Sequence, residues 1–452
     1  MDRARDIMRS GAWLTRERVR LVAAALLVAS VVGFLYLVVT AHGGVDVRGR
    51  PIGTDFSNVY AAGTYVLDGN PEAPFDLSLQ YAREQKLFGA ATPFYGWHYP
   101  PFFLFVAGAL ALMPYGIAFA VWQAVTLVLY LLVILAILAP SFRGAWSASP
   151  ESITTECKIR ARNRRFWTRW SWIADSRSTV SGTTADRLLL ALAFPAVLIN
   201  IGHGQNGFLT AALLGAALLK LDRSPVFAGI LFGLLAYKPQ FGLMIPVALI
   251  SGGRWRAVAA AAAAVVLLAA ATTLAFGPHI WVAFLDSTRF TRLVALEQGD
   301  TGWYKIQSVF AWARMWGASV PVAYALQGVL VAALGAALAR LWRGGAAYPL
   351  KAAALCLAAI LATPYTFDYD MMLLAPAIAF LVSDGFARGF RPWEKTALAA
   401  LWLTPLVARS VAHATLIPLG VPAMLAMFIL LLRRSVNQLG SPAAFSGAFL
   451  PK

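Results

Sequence analysis

Residues 21–39 read LVAAALLVASVVGFLYLVV, nineteen consecutive positions without a charged side chain. Coiled as an α-helix at 1.5 Å per residue, the run reaches about 28 Å, close to the roughly 30 Å hydrocarbon core of a bilayer. A cleaved secretory signal has an apolar region of about 7–15 residues, so this stretch reads as a retained first span. Residues 1–20 carry six Arg against three acidic residues, which places the N-terminus on the cytoplasmic side, where Lys and Arg are held back.

The rest of the chain repeats the pattern. Of 452 residues, 59% are hydrophobic and 13% charged, with a mean hydropathy of +0.66. Soluble proteins run nearer to 45–50% apolar and about 25% charged, so a soluble enzyme is excluded. Further apolar runs lie near 99–113, 116–140, 188–203, 207–221, 226–238, 240–251, 257–277, 319–340, 352–364, 370–384, 396–411 and 414–432. Backbone polar groups in lipid must be satisfied inside each helix. The fold expected is therefore all-α: a polytopic transmembrane helical bundle of about 12–13 membrane segments, one integral membrane domain over 1–452. Pro195, Pro239 and Pro246 mark expected breaks or kinks, because proline removes a helix hydrogen bond.

The net charge is +17, from 38 Lys+Arg against 21 Asp+Glu. The basic residues sit in short loops between apolar runs, which assigns them to membrane topology and not to nucleic acid. Loops 220–225, 252–256, 341–351 and 386–395, with Arg433 and Arg434, are expected in the cytoplasm, as are both termini. Loop 41–98 and loop 278–318, the latter with amphipathic segments, are then extracytoplasmic, together with 204–206, Lys238 and the Asp368–Asp370 turn. The segment 143–187 has nine Lys+Arg and four acidic residues and should be cytoplasmic. That requires 99–113 to be re-entrant or broken, since its rise of about 22 Å falls short of a full crossing. With Trp167, Trp170 and Trp172 among arginines, 143–187 reads as a basic insertion lying on the surface or poorly ordered. Cys157 and Cys356 are too scattered for a disulfide framework or a metal cluster.

Ionisable groups near apolar spans are costly and point to function. Here they gather on one face. Asp55 lies in Gly53-Thr54-Asp55-Phe56-Ser57-Asn58-Val59-Tyr60. A carboxylate there can take a proton from a hydroxyl; Asp is also a favoured helix N-cap, and the local sequence leaves both roles open. Asp68 and Asp76 read as turn residues beside Gly69-Asn70-Pro71 and Pro74. In Trp97-His98-Tyr99-Pro100-Pro101 the prolines suit a first helical turn, Trp97 and Tyr99 suit interfacial anchoring, and His98 can donate to a phosphate or a sugar hydroxyl. Gly202-His203-Gly204-Gln205-Asn206-Gly207 is a glycine-bracketed break whose amides suit sugar hydroxyls. Lys238, in Leu235-Ala236-Tyr237-Lys238-Pro239, is a cation in apolar surroundings, open to phosphate binding or to snorkelling. Lys305 and Arg314 flank Gln307-Ser308 in an outer segment, again with phosphate as the natural ligand. Asp368 and Asp370, carboxylates at i and i+2, are open to binding a cation or to capping and loop solvation, and a lone pair does not define a metal site. Tyr60, Tyr99, Gln205, Asn206, Gln307, Asp368 and Asp370 are the candidates for sugar and acceptor contacts; Lys238, Arg314, Lys305 and His98 are those for phosphate. No cofactor is called for, and no Gly-rich nucleotide loop is visible.

In order and spacing these pieces resemble glycosyltransferase family 87. The resemblance rests on Asp55-Phe56 with Tyr60 and Gly69 to Pro71, then Tyr99-Pro100-Pro101, Gly204-Gln205-Asn206, Lys238-Pro239, Gln307-Ser308 with Arg314, and Thr363-Pro364. It covers roughly residues 20–385. Two positions depart from the family pattern: Ile306 precedes Gln307 where Asn is usual, and Asp368-Tyr369-Asp370 stands where histidine is common. The resemblance implies a GT-C membrane fold in the bacterial cytoplasmic membrane. It also implies transfer of mannose or another sugar from a polyprenyl-phosphate donor to an extracytoplasmic lipid or glycan acceptor, with Asp55 as catalytic base. A transporter or flippase for a lipid-linked or anionic substrate is the alternative that broken helices and intramembrane charges leave open.

Overall fold

The computed structural model describes residues 2–139 and 183–439. The expected basic insertion at 143–187, apart from 183–187, lies outside the described residues, as do Cys157 and the three tryptophans. Among the described residues there is no β-strand, only isolated bridges. The helices, in chain order, are α1 (Asp2–Ser10), α2 (Arg16–Val39), α3 (Thr54–Leu67), α4 (Leu77–Phe88), α5 (Leu104–Ala111), α6 (Tyr115–Ile137), α7 (Thr184–Leu192), α8 (Pro195–His203), α9 (Gly207–Lys220), α10 (Pro225–Leu234), α11 (Met244–Ser251), α12 (Trp255–Phe276), α13 (His279–Phe290), α14 (Val309–Met315), α15 (Val320–Arg343), α16 (Tyr348–Ala362), α17 (Leu374–Arg388), α18 (Glu394–Thr415) and α19 (Gly420–Leu439).

Among the described residues six helices are long and apolar enough to cross a bilayer: α2, α6, α12, α15, the Asp368–Arg388 segment ending in α17, and α18. The α7–α8 pair, bent by 50° at the Phe194-Pro195 break, is a broken span or a re-entrant loop. Five shorter apolar helices complete the set, so only half of the twelve apolar segments are long enough to cross unaided. The segment over 99–113 contains Pro101–Ala111, about 16 Å of helix, too short to cross alone; α5 packs along α3 instead.

Composition explains position. In α16 fourteen of fifteen residues are buried, Lys351 being the exception, and a helix apolar all round belongs in the middle of a bundle. In α2 only Ala23 is buried, so its Val and Leu side chains face lipid. The main core joins α16, α17, α9, α8 and α6. A second cluster, built on Phe56, Trp97, Tyr99, Phe103, Phe119 and Tyr237, packs the 41–98 region onto the bundle. Trp97 and Tyr99 therefore do not lie at an interface as anchors: they are buried, with ring centroids 5.1 Å apart. A third cluster holds the 296–313 region against Phe367. Here Ile306 bridges Phe367, Gln307 N donates to Thr366 O at 2.7 Å, and Ser308 Oγ donates to Pro364 O at 2.7 Å.

Candidate active site

Two glycines set the position of Asp55. Gly53 is the N-cap of α3 with φ of 72° and no side-chain capping bond. Gly204 ends α8 with φ of 66°, and a Cβ there would lie 2.5 Å from Phe56 Cβ and 3.3 Å from Gly53 Cα. Positive φ and the close approach both favour glycine, and together they bring the start of α3 against the 202–207 turn. Asp55 is the second residue of α3 and caps nothing, which removes the capping role that the sequence left open. It sits where the helix dipole and unpaired N–H groups favour a negative charge.

Its carboxylate accepts a hydrogen bond from Gln205 Nε2 at 2.5 Å and one from Thr54 Oγ1 at 3.3 Å. His203 Nδ1 lies 3.6 Å from Oδ1 and 2.8 Å from Thr54 Oγ1. Burial pushes the Asp55 carboxyl up, but the charge of His203 and the bonds from Gln205 and Thr54 outweigh it and hold it below the usual carboxylate range. Gln205 also receives the Tyr99 hydroxyl at 3.2 Å on its Oε1, which fixes its amide with the nitrogen towards Asp55. Asn206 caps α9; its carbonyl accepts from Thr210 Oγ1 at 3.0 Å and from the Tyr237 hydroxyl at 3.3 Å. Its side-chain Oδ1 is buried with no partner, an acceptor still open to a ligand hydroxyl.

Lys238 sits at the break before Pro239, 5% exposed, and donates to Asp370 Oδ1 at 2.6 Å. It neither snorkels nor stands free. Asp370 Oδ2 accepts Phe367 N at 3.0 Å. Tyr369 lies between the two charge centres, 5.2 Å from the ammonium and 5.9 Å from the His203 ring. Asn200 ties the same segments together: its Nδ2 donates to Tyr369 O and its Oδ1 accepts Gly207 N, each at 2.8 Å. Asp368 faces Arg409 of α18, Oδ2 to Nε at 3.2 Å.

The other phosphate candidates divide sharply. Arg314 is spent on backbone carbonyls, donating to Ala318 O at 2.6 Å and Glu297 O at 3.0 Å, with its guanidinium 4.6 Å from the Trp303 ring. His98 is exposed and its Nδ1 lies 2.9 Å from Thr291 Oγ1. Lys305 makes no ion pair among the described residues, and its ammonium is 5.8 Å from the Tyr304 ring. Burial and the nearby Arg409 and Arg50 pull its pKa down, against Asp368 and Asp55. Asp55, Asp368, Arg409 and Arg50 are thus the charges that Lys305 feels most. Of two further sugar candidates, the Tyr60 hydroxyl donates to Met113 O at 2.9 Å, while Gln307 Oε1 accepts Gly420 N at 3.0 Å and its buried Nε2 has no partner.

Three contributors escaped the sequence reading. His203 lay inside a turn whose amides drew the attention. Arg409 is a charge within the apolar run 396–411, and the cost of such a charge was the available signal. Glu84 of α4 is fully buried; its Oε2 accepts Tyr95 N at 3.1 Å, and burial, with a smaller push from the Asp55 charge, raises its carboxyl to about 7.

A sequence model of glycosyltransferase family 87 matches residues 97–364, more than half of the chain. No curated protein and no solved structure matches it.

Proposed function

The chain belongs to glycosyltransferase family 87, a multi-pass membrane glycosyltransferase, and from that premise we propose an inverting transfer from a polyprenyl-phosphate sugar with Asp55 as base. The donor is a hexose or pentose on a lipid phosphate, and the acceptor is a lipid or glycan hydroxyl on the extracytoplasmic side of a bacterial cytoplasmic membrane. The observation that carries this reading is the setting of Asp55: its carboxylate is oriented by Gln205 at 2.5 Å and faces His203 at 3.6 Å.

In the proposed step the acceptor oxygen forms a bond to the anomeric carbon as its proton passes to Asp55. The bond from that carbon to the phosphate oxygen breaks, and the electron pair leaves on the phosphate. One displacement inverts the anomeric centre. Positive charge beside the departing oxygen stabilises the transition state, and Lys305 with Arg409 supplies it. Lys238 acts at one remove, holding Asp370 and with it the Phe367–Tyr369 turn. Asn206 Oδ1, Gln205 and Tyr99 offer contacts for sugar hydroxyls. The apolar side chains of the spans would accommodate the prenyl tail.

The test is incubation of purified protein with radiolabelled polyprenyl-phosphate sugars and a lipid extract, with the anomeric configuration of the product read by NMR. An inverted covalent product supports the proposal. A retained configuration, or transfer only from a nucleotide sugar, contradicts it.

A further inference from the structure

At the far end of the bundle from Asp55 lies an apolar slot with a basic rim. Pro195 cannot donate to the preceding turn, so α7 bends away from α8 by 50°. Asp186 at the start of α7 pairs with Arg16 at 2.7 Å and Arg20 at 3.1 Å, which fastens α2 to α7 by its first turns. The gap left between α2, α6, α7, α17 and α18 measures about 240 Å³. It exceeds the roughly 150 Å³ of an apolar cavity that holds a benzene ring. Phe194, Ile378 and Trp402 help to wall it, while Arg18, Arg187 and Lys395 stand at its edge.

We propose that this slot binds one acyl chain of an anionic glycerophospholipid, with its headgroup phosphate on Arg18 and Arg187. Charge complementarity selects the anion. Basic pockets between transmembrane helices recognise anionic headgroups in this way. A donor lipid seated at the sugar site does not reach the rim. Arg187 and His203 are sixteen residues apart along α7 and α8, and Lys395 and Arg409 fourteen apart along α18. That corresponds to roughly 21–24 Å of helix rise. A donor with its phosphate at Lys305 cannot also place it at Arg187. The site is therefore separate from the sugar chemistry and stands whether or not that reading holds.

The experiment is native mass spectrometry of the delipidated full-length protein with phosphatidylglycerol or phosphatidylcholine of identical acyl chains. Wild type should retain phosphatidylglycerol on the order of tenfold or more over phosphatidylcholine. Arg18→Gln/Arg187→Gln should remove most of that preference, and Ile378→Trp, which fills the slot from a half-buried position, should lower retention of both lipids. Equal retention of the two lipids by wild type would overturn the proposal. So would retention of neither, or displacement of phosphatidylglycerol by an equimolar polyprenyl phosphate.

Discussion

Replacing Lys238 by methionine separates two roles that the sequence alone could not. The ammonium is 5% exposed, its partner Asp370 is 4% exposed, and the two are 2.6 Å apart. Removing one member of a buried pair leaves the other charge unpaired and costs about 3–5 kcal/mol. Lys238→Met should therefore lower the melting temperature of the detergent-solubilised protein by several degrees. Asp370→Asn keeps an acceptor for Phe367 N, so the Lys238→Met/Asp370→Asn double variant should recover most of the loss. The cycle should return a coupling of about 2 kcal/mol or more. Donor binding, read by displacement of a labelled polyprenyl phosphate, should fall in the single variant and recover in the double, because the defect passes through the turn at Phe367–Tyr369. A single variant with wild-type stability and a donor-binding defect that the double variant keeps would refute this reasoning and return Lys238 to the phosphate.

Lys305→Ala should raise the donor KM about tenfold, the loss of one charge-assisted contact, with little change in melting temperature. An unchanged KM would take Lys305 out of the site. Arg314→Gln should do the reverse, destabilising by roughly 2 kcal/mol through its two carbonyl bonds with donor affinity intact, as judged by thermal scans beside binding assays. Glu84 gives the pH dependence. Its carboxyl moves from 4.5 to about 7 on folding, so between those values the folded state holds a proton that the unfolded state releases. Stability from this group is present in full below pH 4.5 and lost as pH rises to about 7. Glu84→Gln should match wild type near pH 4.5 and melt higher at pH 8, by up to about 3 kcal/mol; equal melting at both pH values would contradict it.

The membrane helices were legible because apolar length is a local property, as in residues 21–39. The break at Pro195 was legible for the same reason. Which runs were long enough to cross was less so, since a run such as 226–238 looks continuous until Lys238 interrupts its helix beside Pro239. Lys238 drew attention through the cost of burying its charge, but its partner lies 132 residues away, and no local pattern pairs them. Asp55 was equally suited to capping or catalysis, and only the position of Gly53 as the N-cap two residues earlier decides against the cap. Tyr60, Gln307 and Arg314 bear the residue types of a sugar or phosphate site. Their hydrogen bonds run instead to backbone groups whose positions depend on the assembled bundle.

The most direct measurement is single-turnover transfer by Asp55→Asn from a polyprenyl-phosphate sugar to its acceptor. Asparagine keeps the shape and an acceptor for Gln205 but cannot take the proton. A general base contributes about 10²–10⁴ in rate, so the rate should fall by that factor while donor binding and melting temperature stay near wild type. Transfer at a near-normal rate would contradict the assignment of Asp55 as the base.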